Sequence, residues 1–473
     1  MIEHDVDVVV IGAGPGGYAA GIRCAQKGLS TVVVGSIAGG TCLNFGCIPS
    51  KALIEVAHQF EVVDRAASGT TPFGISAAAP AIDLGTAIEW KDGVVDRLTT
   101  GVVSLLSAAG ARLLTGWATV LDGKTIEVAT EAGVEHLRTK NLVLASGSTP
   151  IELPTLPFDD LVVSSTEMLS STTVPDDLVV VGGGYIGLEL GTAMAKLGAK
   201  VCIVEATERV LAGFDPVLTA PVAKRLDELG VRTFTRTIAR GMNPSRTALV
   251  VEGSDGTFTE LAADRVLVTV GRQPLTTGWG LEVLDLDRHG AFVKTDDQCR
   301  TSMAGVFAIG DLTGEPMLAH RATAQAEIVA EVIAGGSDRW DHVCIPSVVY
   351  TDPEIVTVGL SRTAAKDAGH DVTEARFPFS ANGRALSAGD PTGFIQVVAR
   401  RGDGLVLGLH AVGAGVSELS STFSLALEMG SCLEDIAGTI HSHPTRSEAL
   451  QEAALVALGT PLHLATAGGR GTI

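Results

Sequence analysis

Two glycine-rich segments, each directly after a run of aliphatic residues, most constrain how this chain can fold. Residues 7–17 are DVVVIGAGPGG, and residues 178–187 are LVVVGGGYIG. This spacing is typical of dinucleotide-binding βαβ units, where the glycines allow a tight turn, close approach of a pyrophosphate and close packing of helix on strand. The six glycines are Gly12, Gly14, Gly17, Gly182, Gly184 and Gly187. The sequence therefore predicts an α/β protein with two Rossmann-like dinucleotide-binding domains.

A pair of cysteines follows the first fingerprint, in residues 39–51, GGTCLNFGCIPSK. Four residues separate Cys42 from Cys47, and one compact turn can bring the two Cα atoms to the roughly 4.4–6.8 Å that a disulfide needs. Pro49 suits the first position of a helix, so Cys47 is expected beside a helix N-terminus, where the dipole favours thiolate. This pattern favours a redox-cycling pair over a structural disulfide or half of a metal site. A zinc site needs four ligands and the chain has no second cysteine pair, so we expect no metal.

Two dinucleotide sites and a dithiol indicate hydride, flavin and disulfide chemistry in series. Together with residues 305–311 (GVFAIGD), 317–322 (MLAHRA) and 441–448 (HSHPTRSE), these motifs make the chain resemble the pyridine nucleotide–disulfide oxidoreductases over essentially its whole length. Among them it is most similar to the dihydrolipoamide dehydrogenases. Variable segments such as residues 381–384 (ANGR) look most like the form that serves branched-chain 2-oxoacid dehydrogenase complexes.

The resemblance implies a fold, two cofactors and a division into four segments. We expect an FAD-binding domain in residues 1–150, an NAD-binding domain in 151–276, a central domain completing the FAD site in 277–345, and a C-terminal α+β dimerisation domain in 346–473. The nine residues from Ala465 onwards are expected to form a loose tail.

An acid about 20 residues after a fingerprint decides which dinucleotide binds, because it contacts the adenosine ribose hydroxyls. In the second copy Glu205 stands there and would repel a 2′-phosphate, so NAD is favoured over NADP, although Arg209 is four residues on. The first copy departs from the family pattern. Its strand ends in Val34 and Gly35, and we expect Val34 to replace the usual ribose-binding acid.

The resemblance also implies the remaining cofactor contacts. FAD would be contacted at Gly12, Gly14, Gly17, Lys51, Gly147, Asp311 and Ala319, with Asp311 holding the ribityl chain. NAD would be contacted at Gly182, Gly184, Gly187, Glu205 and Gly271. Lys51 and Glu189 match the family's ion pair beside the flavin ring, where a cation favours reduced flavin and the Cys47 thiolate.

A dithiol substrate must lose protons near neutral pH before it can attack a disulfide, which requires a base. His443 has the residue type for that base and Glu448 for its orienting carboxylate, and His441 is the competing candidate. By resemblance, His443 acts on the active site of the other subunit of a homodimer. The substrate dithiol then attacks Cys42, Cys47 becomes the thiolate beside the flavin, and NAD⁺ receives the electrons.

Composition argues against several other classes of protein. The net charge of −20 argues against nucleic acid and against anionic membranes, and no apolar run is long enough to span a bilayer. Seven cysteines with one close pair, and an acidic start unlike a signal peptide, predict a cytoplasmic enzyme. The implied partners are the lipoyl domains and acyltransferase core of a 2-oxoacid dehydrogenase complex. The alternatives are a glutathione-type disulfide reductase, or a flavoprotein that mainly docks on a complex.

Overall fold

A computed structural model describes residues 2–465, with side chains from residue 4 onwards. Residues 466–473, most of the predicted tail, lie outside the described residues. The chain divides into two compact units, one of residues 1–56, 83–173 and 268–341, and a second of residues 57–82, 174–267 and 342–473. The predicted four-segment division stays a prediction.

The described part of the chain alternates between strands and helices. The strands are β1 (Ile2–Ile11), β2 (Thr31–Gly35), β3 (Arg112–Thr115), β4 (Trp117–Asp122), β5 (Thr125–Thr130), β6 (Gly133–Leu144), β7 (Ser148–Pro150), β8 (Val162–Val163), β9 (Asp177–Val181), β10 (Lys200–Val204), β11 (Arg232–Phe234), β12 (Thr237–Met242), β13 (Ala248–Gly253), β14 (Phe258–Ala262), β15 (Arg265–Val268), β16 (Arg272–Pro274), β17 (Arg288–His289), β18 (Phe292–Val293), β19 (Val306–Ala308), β20 (Ser347–Val349), β21 (Glu354–Gly359), β22 (Val372–Pro378), β23 (Phe394–Arg400) and β24 (Val406–Gly413).

The helices are α1 (Pro15–Gln26), α2 (Gly40–Phe45), α3 (Cys47–Ala67), α4 (Leu84–Ala109), α5 (Ser165–Met168), α6 (Tyr185–Lys196), α7 (Pro216–Glu228), α8 (Ala319–Ile333), α9 (Arg362–Asp367), α10 (Gly383–Ser387), α11 (Ser420–Glu428), α12 (Leu433–Gly438) and α13 (Glu448–Ala457). Short 3₁₀ turns occupy Leu281–Leu284, Gly310–Thr313, Phe379–Ala381 and Val416–Leu419. Across residues 2–465, no helix combines the length and the hydrophobicity needed to cross a membrane.

The first unit is built on a sheet with strand order β3-β2-β1-β6-β5-β4, to which β19 adds by pairing with β6. Strand β1 runs parallel to both β2 and β6. Its residues Val8, Val9 and Val10 are completely buried, which explains a continuous aliphatic run with no alternation. Both faces of this strand are covered, one by α1, α4 and α8 and the other by β4, β5 and the 3₁₀ turn Leu281–Leu284. Helix α1 packs against α8 and α4 on one of these faces.

The second unit repeats this pattern and adds a different sheet. Strands β11, β10 and β9 are parallel neighbours, and β15 lies on the far side of β9. The C-terminal part forms an antiparallel sheet with strand order β20-β21-β24-β23-β22. Helices α11, α12 and α13 pack against this sheet and share a hydrophobic core with it. The predicted fold class, an α/β protein with two Rossmann-like units and a C-terminal α+β region, is confirmed.

Candidate functional site

The cysteine pair lies at the junction of two helices. Cys42 is on the short helix α2, and Cys47 is the first residue of α3, so the expected position of Cys47 beside a helix N-terminus agrees with the structure. Pro49 is the third residue of α3 and not the first. It is tolerated there because backbone N–H groups of the first turn have no partner within the helix. The side chains of the two cysteines are hydrogen-bonded to each other.

Cys42 holds its proton more strongly than an ordinary thiol does. The hydrogen bond to Cys47, followed by burial, raises the pKa of Cys42 far above that of an ordinary thiol, and the Lys51 cation opposes this only partly. A protonated Cys42 can donate a hydrogen bond to Cys47, which would favour the thiolate expected at Cys47. The positive end of the α3 dipole acts in the same direction. The geometry thus supports different roles for the two sulfurs.

Residues around the pair that sequence reasoning missed hold this segment in place. The Asn44 amide donates to the carbonyls of Ala38 at 2.8 Å and Gly40 at 2.9 Å. Gly40 has a φ of 55°, and a Cβ there would lie 2.6 Å from Gly14 Cα, so the redox segment packs directly on the first fingerprint. Burial, with Cys42 nearby, raises the pKa of Tyr18. The sequence could have pointed to Tyr18, because it directly follows Gly17, the last glycine of the first fingerprint.

The first fingerprint forms an open cradle at the start of α1. Gly12 has a φ of 109°, and a Cβ there would overlap the Ala145 carbonyl, while a Cβ on Gly17 would overlap the Gly12 carbonyl. Gly14 caps α1 without a side-chain hydrogen bond, and a Cβ on it would meet nothing closer than Gly40 Cα at 4.0 Å. Unpaired N–H groups and the helix dipole attract phosphate at such a position. These residues fit the pyrophosphate of FAD.

Asp311, Gly147 and Ala319 are the predicted FAD residues in the later part of the first unit. This residue lies in the 3₁₀ turn Gly310–Thr313, and its Oδ2 accepts a 2.6 Å hydrogen bond from Ser148. Ser148 in turn accepts from Arg272 Nε at 2.8 Å. Gly147 precedes Ser148 with a φ of 76°, and Ala319 is the first residue of α8. Ser148 and Arg272 orient the carboxylate, and no sequence pattern points to either.

The second fingerprint is completed by Glu205, which directly follows β10. Its two carboxylate oxygens accept from the backbone N–H groups of Gly183 and Thr207, each at 2.7 Å. The nearby cation Arg209 donates to the carbonyls of Leu211 at 3.2 Å and of Ala212 and Phe214 at 2.7 Å. These hydrogen bonds hold the Arg209 guanidinium against its own loop, so it is not positioned to bind the 2′-phosphate of NADP. A carboxylate fixed at the strand end fits the ribose of NAD.

The structure corrects the position of the missing acid in the first copy. Gly12 N–H donates to the Val34 carbonyl at 2.8 Å, and Gly182 N–H donates to the Val204 carbonyl at 2.8 Å. Val34 therefore corresponds to Val204 and is only 1% exposed, so it does not face the ribose position as predicted. The residue that corresponds to Glu205 is Gly35. The first copy therefore has no acid at this strand end. The position where the acid is missing is residue 35, one residue later than the sequence pattern suggested.

The predicted flavin-side residues occupy defined positions on two helices. Lys51 lies one turn after Cys47 on α3, and its charge acts on Cys42. Glu189 lies on α6 with only 3% exposure, and its Oε1 accepts the Tyr350 backbone N–H at 2.9 Å. Their pairing with each other stays a prediction. Gly271 belongs to the first unit, in contrast to the other predicted NAD residues, and has a φ of 131°.

The structure brings together the predicted base and its orienting carboxylate. His443 Nδ1 lies 2.8 Å from Glu448 Oε1, and Glu448 Oε2 accepts the Thr445 backbone N–H at 2.7 Å. Burial would raise the pKa of Glu448, but the hydrogen bonds from Thr445 and His443 hold it below its ordinary value. His443 is 80% exposed, so its Nε2 is available to a substrate. The Nε2 of the competing His441 is instead buried, with no hydrogen-bond partner among the described residues.

Comparison with known proteins places this geometry in a family. The model described as pyridine nucleotide-disulphide oxidoreductase matches residues 6–326, and the model described as its dimerisation domain matches residues 345–454. The chain is 54% identical over 459 residues to a dihydrolipoyl dehydrogenase of Pseudomonas aeruginosa, covering 97% of this chain and 98% of the relative. It is 43% identical over 466 residues to one from Geobacillus stearothermophilus, with 98% of each chain covered.

Solved structures show the same architecture. LpdA from Mycobacterium tuberculosis superimposes with a TM-score of 0.85 at 25% identity, over 96% of this chain and 99% of the other. The flavoprotein disulfide reductase RclA from Escherichia coli has the same fold, with a TM-score of 0.83 at 23% identity over 95% and 99% of the two chains. The family uses FAD and NAD(H), in agreement with the predicted cofactors. This chain belongs to the pyridine nucleotide-disulphide oxidoreductase family.

Proposed function

We propose that the chain is a dihydrolipoyl dehydrogenase, which oxidises protein-bound dihydrolipoamide to lipoamide and reduces NAD⁺. The observation that carries this proposal is the hydrogen bond between His443 and Glu448, in a chain that also holds the Cys42–Cys47 pair. A histidine base needs an unprotonated nitrogen that faces the thiol, and a fixed tautomer keeps that nitrogen in place. A carboxylate on Nδ1 supplies that and leaves Nε2 to meet the substrate.

The chain's own residues account for the thiol steps. His443 Nε2 takes a proton from one substrate thiol, and the thiolate attacks the Cys42 sulfur of the oxidised pair. The Cys42–Cys47 bond breaks, and Cys47 leaves as a thiolate stabilised by the N-terminus of α3. The second substrate thiol then closes the lipoamide disulfide and releases Cys42 as a thiol. Bound FAD supplies two-electron transfer from the reduced pair to NAD⁺.

The proposal extends to the subunits and partners. The match to a dimerisation domain supports a homodimer, and we propose that His443 of one subunit serves the cysteine pair of the other. The proposed partners are the lipoyl domains and acyltransferase core of a 2-oxoacid dehydrogenase complex, with the branched-chain complex as the predicted one. A cytoplasmic location follows from the same role and from the cysteine pattern.

Two assays on the purified holoenzyme test the proposal against its main alternative. Dihydrolipoamide-dependent NAD⁺ reduction is expected, and NADPH-dependent reduction of glutathione disulfide is not. The reverse result would make the chain a glutathione-type reductase. Loss of both activities, with FAD bound and binding to an acyltransferase core retained, would instead indicate a docking flavoprotein.

A variant pair tests the role of His443 and its subunit. His443→Gln is expected to lower dithiol oxidation by roughly 10²–10⁴-fold, the usual contribution of a positioned base, with FAD content retained. Mixing inactive His443→Gln and Cys42→Ser proteins under verified subunit exchange should restore activity, because one site of the hybrid pairs an intact disulfide with an intact histidine. Exchange without recovery would show that His443 does not act across subunits.

A further inference from the structure

Four charged side chains of the second unit form a closed ring of ion pairs, here called the charge ring: Glu61, Lys196, Asp352 and Arg225. Lys196 Nζ lies 2.9 Å from Glu61 Oε2 and 2.7 Å from Asp352 Oδ2. Arg225 joins the same two carboxylates, with Nε 2.8 Å from Asp352 Oδ2 and Nη2 in contact with Glu61. Each acid therefore meets both cations. The Lys196 and Glu61 side chains are only 7% and 13% exposed.

The ring is electrically balanced and depends on all its members. Burial opposes ionisation of Glu61 and Asp352, but the two cations hold the pKa of each acid below its ordinary value. The acids in turn raise the pKa of Arg225. Removing one member of the ring leaves an opposite charge of the ring without its full compensation in a largely buried position.

The charge ring is connected to Glu189 through one helix and one segment. Glu189 and Lys196 are seven residues apart on α6, two turns, so they lie on the same face. Lys196 contacts Asp352, while Glu189 accepts the backbone N–H of Tyr350. Helix α6 and residues 350–352 are thus joined at two points. Because the Glu189 carboxylate is buried, its orientation depends on such hydrogen bonds.

We propose that the charge ring is a positioning device for Glu189. It fixes residues 350–352 against α6, so that the Tyr350 N–H keeps the Glu189 carboxylate in one orientation. The inference rests on the proposed function and on the role that the family resemblance predicts for Glu189, an ion pair with Lys51 beside the flavin. The placement of that negative charge then sets the electrostatic environment of the flavin. The ring residues act through Glu189 and are not themselves catalytic.

The test compares Lys196→Met with Glu189→Gln in the FAD-loaded protein. Two quantities are measured without any dithiol substrate: the long-wavelength charge-transfer absorbance after partial reduction, and the rate of flavin reduction by NADH. Lys196→Met is expected to change the absorbance in the same direction as Glu189→Gln and to slow reduction by about two- to tenfold. In the double variant, Lys196→Met should add nothing to the effect of Glu189→Gln.

Matched variants separate positioning from general stability. Lys224→Met removes an exposed lysine on α7 that pairs with Glu228 and should leave both quantities unchanged. Lys196→Arg keeps the positive charge, so both the charge-transfer absorbance and the rate of flavin reduction should stay close to those of the unmodified protein. If Lys196→Met does not fold, Glu61→Gln combined with Lys196→Met keeps the ring neutral and serves instead.

Additive effects of Lys196→Met and Glu189→Gln would overturn the proposal. So would a loss of stability in urea unfolding with an unaltered charge-transfer band. Because no dithiol enters these measurements, their outcome is independent of whether dihydrolipoamide is the substrate. A failure of the positioning role can therefore be told apart from a failure of the proposed function.

Discussion

Replacing Val34 with glutamate should unfold the first unit and not strengthen FAD binding. The Val34 side chain is 1% exposed and packs with Val9, Ile11 and Leu114 in the sheet core. A carboxylate placed among these aliphatic side chains would be buried without a cation to pair with. Burial shifts the pKa of such groups by up to about 3–5 units, or roughly 4–7 kcal/mol at about 1.4 kcal/mol per unit. That is comparable with the whole stability of about 5–15 kcal/mol of an ordinary domain.

The assay is urea unfolding of the purified protein, followed by flavin and tryptophan fluorescence. Val204→Glu is the matched variant, because Val204 has the same register in the second copy and is also 1% exposed. Both variants should give less soluble protein or a free energy of unfolding that is several kcal/mol lower. Val34→Ile should change the free energy of unfolding by less than about 1.5 kcal/mol. A Val34→Glu protein that is stable and binds FAD more tightly would refute the assignment of Val34 to the sheet core.

The same register predicts that an acid at position 35, and not at position 34, would strengthen FAD binding. A Cβ on Gly35 would lie 2.7 Å from Ala13 Cβ, so Gly35→Glu alone is strained. Combining it with Ala13→Gly reproduces the arrangement of Gly183 and Glu205 in the second copy. A charged hydrogen bond contributes about 1.5–3 kcal/mol, so the dissociation constant of FAD, measured by fluorescence, should fall at least about tenfold in the double variant. Unchanged affinity would show that the ribose does not meet this strand end.

Three further outcomes follow from the described contacts. Cys42→Ser should show charge-transfer absorbance without reductant, and Cys47→Ser should abolish it, as measured by visible spectroscopy. Glu205→Ala should narrow the preference for NAD over NADP in steady-state assays, by about 1–3 kcal/mol for a lost ribose contact and repulsion. Lys196→Met should move acid unfolding to higher pH. Its two carboxylate partners have depressed pKa values, so they stabilise the fold above about pH 4, and losing the cation returns those pKa values upwards.

The parts of the site predicted correctly from sequence are those fixed by local patterns. The fingerprint glycines, the position of Cys47 at a helix N-terminus and the nearness of His443 to Glu448 all involve residues close together in the chain. The helix after the first fingerprint spans Pro15–Gln26, so it begins before the last glycine of the motif. It starts early because Pro15 fits the first turn, where no N–H partner is lost.

The missed features depend on register or on distant partners. In a strand of three valines, pattern alone cannot show which residue is the last inside the sheet. An error of one residue changes the side that a side chain faces. The charge ring joins residues as far apart as Glu61 and Arg225, separated by 164 positions, and no local signal connects them. Ser148 was missed for the same reason, because its contact with Asp311 spans 163 positions.

The two fingerprints differ at a pair of positions that are in contact, and this coupling explains the missing acid. In the first copy Ala13 carries a Cβ and the facing strand end, Gly35, has none, whereas in the second copy Gly183 has none and Glu205 carries one. A Cβ added at Gly183 would lie 3.2 Å from Glu205 Cβ, so each copy has room for one side chain but not comfortably two. Only the second copy keeps a carboxylate that can repel a 2′-phosphate. We therefore expect discrimination between NAD and NADP to depend on the second unit, and the first to hold its dinucleotide through backbone N–H groups and Asp311.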